Sequence, residues 1–329
     1  MTTTIGSAPA ALWVLVPVYD ECEVLPELQR RLADVFARLD CAARILYVDD
    51  GSRDGSWAQV CAFSAADARV HGIRLSRNFG KEIALTAGLD ALAARADLDA
   101  CVVIDADLQD PPELIPDLVA RWRAGYDMVY ATRRRRLGES GAKRLTAALF
   151  YRLMDALSAT RIPRDTGDFR LLSARMLRAL AGLRERQRFM KGLFAWVGYP
   201  QTQVLYDRAP RAAGTTKWNY GRLWRFAVEG ITSFSTMPLR LATWVGVLTS
   251  LLAFGYGGWI VLKVFVWGIS VPGYASLIVA ILFLGGMQLL ALGIIGEYVG
   301  RTYLEVKQRP LYLIEASAGA AAPPSDAMP

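Results

Sequence analysis

Two aspartates spaced i, i+2, Asp105 and Asp107, end the apolar run Cys101–Ile104, and Gln109-Asp110-Pro111-Pro112-Glu113 follows. A short apolar run bounded by turn signals reads as a buried strand of a parallel sheet. Ligands of open α/β sheets gather at the carboxyl ends of such strands. Carboxylates leaving a strand there can hold a hard cation, because Mg²⁺ takes one or two carboxylates and completes its shell with phosphate oxygens and water. The same residues also suit an acidic turn before a helix N-terminus. Their company decides between these readings. Asp50 and Arg133 also fall just after apolar runs, so three candidate residues collect at one edge of one sheet.

The elements that must position them alternate. Strands are expected at Leu12–Val18, Arg44–Val48, Val70–Leu75, Cys101–Ile104 and Met128–Ala131, with helices at Glu23–Leu39, Lys81–Ala94 and Pro112–Ala124. That alternation predicts βαβ units and a mostly parallel sheet. Thr166–Ser173 reads as a further strand and Trp196–Tyr206 as an edge strand. Composition narrows the chemistry. The chain carries a net charge of +7 and is 53% hydrophobic, a pairing that suits phosphorylated ligands and anionic lipid. Aromatic residues are not interleaved with the basic ones over the first half, which ranks nucleic acid last. The four cysteines form no Cys-x-x-Cys pair, and His71 is the single histidine, read as a surface or strand residue. Disulfide frameworks and histidine-centred catalysis have little to work with. The apolar run Ala10–Val18 lacks a basic flank and reads as a first strand, with no export implied.

Past Lys217 the pattern changes. Gly221–Pro238 places Leu223, Ala227, Ile231 and Phe234 on one helical face and Arg222, Arg225 and Glu229 opposite, the pattern of a basic amphipathic helix lying in a membrane interface. Leu241–Leu262 and Tyr274–Gly296 are uncharged and long enough to span a hydrocarbon core of roughly 30 Å. Lys263 can snorkel. Arg240, Arg301, Lys307 and Arg309 flank the outer ends, which places those ends on the cytoplasmic side. The expected organisation is a cytosolic catalytic domain over residues 1–217, an interfacial helix over 218–240, a two-span hairpin over 241–300, and a cytosolic tail over 301–329 that is disordered from Ala316 onward.

Taken in order, Val16-Pro17-Val18-Tyr19-Asp20-Glu21, Val48-Asp49-Asp50-Gly51-Ser52 and Asp105-Ala106-Asp107 resemble the inverting family 2 glycosyltransferases of GT-A fold. Ser76-Arg77-Asn78-Phe79-Gly80-Lys81-Glu82, Asp107-Leu108-Gln109-Asp110-Pro111, Gly167-Asp168-Phe169-Arg170, Arg188-Phe189-Met190-Lys191-Gly192 and Glu229–Ser235 look more narrowly like the polyprenyl-phosphate branch. Within that branch the bactoprenol glucosyltransferases are nearest, and dolichol-phosphate mannose synthases are more distant. The resemblance runs from about Leu12 to Arg301. Asp20 departs from it, standing where the family usually has Asn.

The resemblance implies a division of labour. Pro17, Tyr19, Glu21, Val48 and Asp50 would frame the nucleobase and ribose, with Asp50 favoured over Asp49 as acceptor for a uracil N–H. Apart from the series, Asp-Asp-Gly-Ser reads as a turn built on backbone needs. Asp105 and Asp107 would hold Mg²⁺ or Mn²⁺ against the diphosphate, with Ala106 at the nucleotide and Gln109 near metal or sugar. Arg211 and Lys217 resemble a loop closing over the diphosphate, or else meet anionic lipid. Arg133 and Arg144 would take the acceptor phosphate, with Arg134, Arg135, Arg136 and Lys143 as neighbours. Asp168 is expected to position a substrate rather than remove a proton, since a phosphate monoester with a second pKa of about 6 is already ionised near neutrality. Arg170 is its expected partner.

The implied reaction moves a hexose, glucose from UDP-glucose by preference, onto undecaprenyl or another polyprenyl phosphate at the cytosolic face of the inner membrane. A homo-oligomer and a flippase partner accompany that reading. GDP-mannose, an N-acetylhexosamine and an aminoarabinose donor stay open. So does a non-catalytic subunit that binds sugar nucleotide or lipid.

Overall fold

The computed structural model describes residues 11–133, 166–186, 188, 190–206, 237–268 and 273–319. These fall into two compact units, one holding the described residues up to Tyr206 together with the segment from Arg309, the other holding the long C-terminal helices.

The first unit is built on an eight-stranded sheet. Its strands are β1 (Leu12–Val18), β2 (Ala43–Asp49), β3 (Val70–Leu75), β4 (Ala100–Val103), β5 (Met128–Arg133), β6 (Thr166–Ser173), β7 (Gln201–Tyr206) and β8 (Ile314–Ala318), in the order β7-β5-β6-β4-β1-β2-β3-β8. The central β1 is a continuous apolar run buried on both faces, as a parallel strand covered by two helix layers must be. β1, β2, β3 and β4 run parallel, whereas β6 is antiparallel to both β4 and β5. The sheet is flanked by α1 (Leu25–Phe36), α2 (Ser56–Ala66), α3 (Lys81–Ala93), α4 (Ile115–Arg123), α5 (Ala174–Ala181) and α6 (Met190–Trp196). α1 buries Leu25, Leu28, Leu32, Val35 and Phe36, a stripe at helical spacing that faces the sheet. α3 lies closer still. A Cβ on Gly88 would come within 2.2 Å of Leu15 Cδ1, so the missing side chain is what lets this helix rest on β1.

Three helices and one strand were not foreseen. α2 and α5 carry short or weakly periodic apolar patterns, and α5 is started by the Ser173 hydroxyl, which accepts from the Met176 amide at 3.2 Å. α6 occupies the stretch before Val197, so the expected strand from Trp196 is confined to Gln201–Tyr206. The tail also differs from its expectation. Residues Ile314–Ala318, partly inside the stretch expected to be disordered, form β8 on the open edge of β3. Backbone pairing with an exposed edge strand needs little side-chain hydrophobicity, so composition alone misses it.

The second unit contains α7 (Met237–Trp267, 31 residues) and α8 (Tyr274–Val306, 33 residues). Both are long and apolar enough to cross a membrane, and their side chains are exposed along both helices, Phe254 at 81% and Leu289 at 72%. α7 starts at Met237, four residues ahead of the expected span. Residues 218–236 of the expected interfacial helix lie outside the described residues.

Candidate active site

The antiparallel insertion of β6 creates the site. β4 and β6 pair with Val103 opposite Arg170, and continuing that register by two residues sets Asp105 opposite Asp168. Two carboxylates far apart in sequence therefore leave adjacent strands side by side. Lys81 joins them. Its Nζ lies 2.7 Å from both oxygens of Asp105, aligned with Oδ2, and 2.5 Å from Asp168 Oδ2. Oδ1 of each aspartate is enclosed with no hydrogen-bond donor aligned on it.

Lys81 is the first residue of α3, where the partial positive charge of the helix favours anions. A lysine there gains nothing from the helix and is accounted for by the carboxylates it meets. Its loop is held by Asp50, whose Oδ1 accepts from the Phe79 amide at 2.7 Å and whose Oδ2 accepts from the Gly80 amide at 2.8 Å. Gly80 adopts φ +99°, a conformation open to glycine, and lets the chain turn from that anchor into α3.

The charges are strongly unequal in their protonation. Burial pushes the Asp168 carboxyl up, but Lys81, Arg170 and Lys191 outweigh it and hold the group down at about 2. Burial raises Asp105, with Lys81 opposing and the Asp168 charge reinforcing the rise. The Lys81 ammonium is destabilised by burial, yet the two carboxylates prevail and raise it above the ordinary lysine range. Glu82 is pushed up to about 7, by burial first and by the Asp168 charge second, and its Oε2 is buried without a hydrogen-bond partner.

Arg170 differs from its expectation. Its guanidinium donates to the carbonyl of Gly167 at 2.7 Å and to the carbonyl of Asp168 at 3.4 Å, and lies 3.9 Å from the centroid of the Phe194 ring. It braces the backbone that carries Asp168, while the carboxylate's ion pair is with Lys81. In the sequence Lys81, Lys191 and Glu82 stand only as members of motifs, with no role of their own. The legible signal was a lysine at a helix N-terminus.

The remaining expected residues sort by exposure. Asp107 accepts from the Gln109 amide at 3.1 Å, and between them Leu108 has φ +56°, a left-handed turn on a non-glycine residue. Ala106 and Gln109 are 4% and 6% exposed. Asp110 is buried and accepts from the Tyr206 hydroxyl, tying this turn to β7. Asp49 accepts from Ser52 and lies 3.3 Å from Arg74 Nε. Pro17 and Val48 are buried in the sheet, so their side chains offer a ligand almost no surface, whereas Tyr19 is 42% exposed. The Glu21 amide donates to Ser56 Oγ at 3.0 Å. Asp20 has φ +53°, donates its amide to Ser52 Oγ at 3.0 Å and accepts from the Arg53 amide at 2.8 Å. Asn and Asp are the residues that tolerate that conformation and bond backbone this way, so an Asp meets the conformational need at position 20 as an Asn would. Arg134, Arg135, Arg136, Lys143, Arg144, Arg211 and Lys217 lie outside the described residues, as does the side chain of Arg133.

Among the described residues no three His, Cys, Asp or Glu side chains gather as a metal cluster. The enclosed Oδ1 atoms of Asp105 and Asp168 are nevertheless hard oxygen donors with no aligned hydrogen-bond donor, that of Asp105 meeting the Lys81 ammonium alone, and Asp107 is two residues from Asp105. That set fits a cation whose shell is completed by phosphate oxygens and water.

Residues 13–181 match the model of glycosyl transferase family 2. The chain belongs to this family. Its sheet, mostly parallel with β6 and β8 reversed, is the GT-A architecture expected of a member. Residues 237–302 match the GtrB C-terminal hairpin, a second family model that covers α7 and most of α8. An uncharacterized glycosyltransferase of Synechocystis sp. is 52% identical over 303 residues, covering 92% of this chain and 94% of its own. A prophage bactoprenol glucosyl transferase homolog of Escherichia coli is 44% identical over 302 residues, covering 92% and 97%. The bactoprenol glucosyl transferase of Shigella phage SfII is 44% identical over 304 residues, with the same coverage.

Proposed function

We propose that this family 2 enzyme transfers glucose from UDP-glucose to a polyprenyl phosphate of the undecaprenyl class at a membrane surface. The observation that carries the reading is the meeting of Asp105 and Asp168 about one cationic position at the carboxyl edge of the sheet, in a chain that continues into two membrane-length helices. The donor and the lipid class follow the relatives named for bactoprenol glucosyl transfer. A lipid acceptor leaves a bilayer at a cost of about 0.8 kcal/mol per exposed CH₂. A hairpin that keeps the catalytic domain at the surface removes that cost. The membrane in question is the inner one, crossed twice, with the catalytic domain on the cytosolic side.

The reaction is an in-line attack by an anionic phosphate oxygen of the lipid on C1 of the sugar. The C1–O bond to UDP breaks, UDP leaves with the electron pair, and the anomeric configuration inverts. Asp105, Asp107 and a neighbouring group such as Gln109 would hold Mg²⁺ or Mn²⁺, which when bound neutralises charge on the departing diphosphate. Asp168 is locked ionised by Lys81 and Lys191 and is too weak a base to take a proton near neutrality. It orients a substrate hydroxyl or the cations around it. Tyr19, Glu21 and the Asp49–Asp50 turn line the approach of the nucleoside, Arg211 and Lys217 close over the diphosphate, and Arg133 with Arg144 meets the acceptor phosphate.

Membranes containing the protein, given undecaprenyl phosphate, Mn²⁺ or Mg²⁺ and radiolabelled UDP-glucose beside labelled GDP-mannose and UDP-N-acetylglucosamine, test the reading. Label from UDP-glucose in extracted lipid, abolished by EDTA and by Asp105→Asn, is expected. Transfer undiminished under EDTA, or with Asp105 and Asp107 both changed to Asn, would sink it.

A further inference from the structure

We propose that Lys81 is a built-in counter-cation that holds Asp105 and Asp168 together between turnovers and gives up Asp105 when a divalent cation arrives. The inference rests on the metal-dependent reading above and adds a positioning residue to it. Three observations carry it. The ammonium contacts both oxygens of Asp105 at 2.7 Å and Asp168 at 2.5 Å, so it occupies the cation position between them. The lysine stands at a helix N-terminus, where its charge is unfavourable unless a carboxylate repays it. Its backbone is fixed from behind, by Asp50 on the Phe79 and Gly80 amides and by the Leu313 carbonyl, which accepts from the Ser76 amide at 2.9 Å.

The physical need is plain. Two carboxylates brought side by side in a partly enclosed site repel, and without a cation one of them would take up a proton or move away. A tethered ammonium prevents both and leaves the carboxylates deprotonated and in place. A single positive charge on a flexible stem is also a weaker partner than a divalent ion bearing a diphosphate, so it is displaceable. Its side chain is 43% exposed, which leaves it room to swing off Asp105 while staying near Asp168.

The test is Mn²⁺ binding to the purified full-length protein in detergent, followed by the electron paramagnetic resonance signal of free Mn²⁺, with no sugar nucleotide present. Removing a unit positive charge beside the ion is expected to tighten Mn²⁺ at least ~10-fold in Lys81→Met relative to wild type, after allowance for solvent screening. Lys81→Arg, which keeps the charge, stays within about 3-fold of wild type. Because Lys81→Met leaves two carboxylates facing each other, Asp168→Asn and Lys81→Met/Asp168→Asn serve as a folded second pair. Mn²⁺ binds more tightly to the double variant than to Asp168→Asn if Lys81 competes for Asp105. Equal or weaker binding in both charge-removed variants overturns the proposal, while Mn²⁺ binding by wild type in the presence of UDP leaves the metal reading standing. No Mn²⁺ bound by any form, with or without UDP, overturns both.

Discussion

Asp50 is the residue for which the family resemblance and the geometry assign different work, and Asp50→Asn separates them. Asp50 is 3% exposed, and its two oxygens accept the Phe79 and Gly80 amides at 2.7 and 2.8 Å. An asparagine keeps one acceptor and turns an NH₂ toward the other amide, leaving two donors face to face. A buried unsatisfied donor costs about 1–3 kcal/mol. Part of that is offset, because burial raises the Asp50 carboxyl more than the two amides lower it, so the neutral side chain is relieved of a burial penalty. The net expectation is ~1 kcal/mol, or roughly 2–4 °C in melting temperature for a domain of this size. The loosened Phe79–Lys81 turn would also let Lys81 drift from Asp105 and Asp168, so kcat falls with every donor nucleotide. The assay is a thermal melt of the full-length protein in detergent beside steady-state kinetics with UDP-glucose. An unchanged melting temperature, with KM for UDP-glucose raised tenfold or more and kcat kept, would refute the anchoring argument and return Asp50 to the nucleobase.

Further outcomes follow from single contacts. Asp168 has a depressed carboxyl, so its charge and the stability it lends are present above the ordinary aspartate range and are lost only as pH falls toward about 2. Asp168→Asn should therefore lower transfer by a constant factor from pH 6 to 8.5, and the loss in the variant of an acidic limb present in wild type would restore a base role. At Asp20, substitution by Asn should be neutral within ~0.5 kcal/mol, whereas Asp20→Val, β-branched at φ +53°, should destabilise by about 1–2 kcal/mol in a chemical or thermal melt. Equal stability of the two variants would remove the conformational account of this position. Ending the chain at Gln308 deletes β8, its pairing with β3, the Leu313–Ser76 hydrogen bond and the Tyr312 hydroxyl's bond to Asp90 at 3.0 Å. Proteolysis of the truncated protein should then begin around Ser76–Lys81, and a wild-type cleavage pattern would show that the strap is dispensable.

What could be read from residue types alone was considerable. The apolar runs ending in Asp50, Asp105 and Arg133 declare a parallel sheet with its chemistry at one edge, because strand burial and helix periodicity are local patterns that survive in one dimension. Two uncharged stretches at membrane length declare the hairpin for the same reason. The partner of Asp168 was not legible. Arg170 is two residues away in sequence, but in a strand that spacing puts both side chains on one face, while a buried guanidinium takes the nearest carbonyls and an aromatic ring. The carboxylate was left to a lysine on a different element, delivered by the antiparallel register of β4 and β6 and by an anchored turn before α3. β8 was hidden likewise, since a strand added to an open edge is specified by the edge as much as by its own residues. Local sequence thus determined the elements and the types of chemistry. Which charges share a site was decided by strand register, a long-range property that no window of neighbouring residues contains.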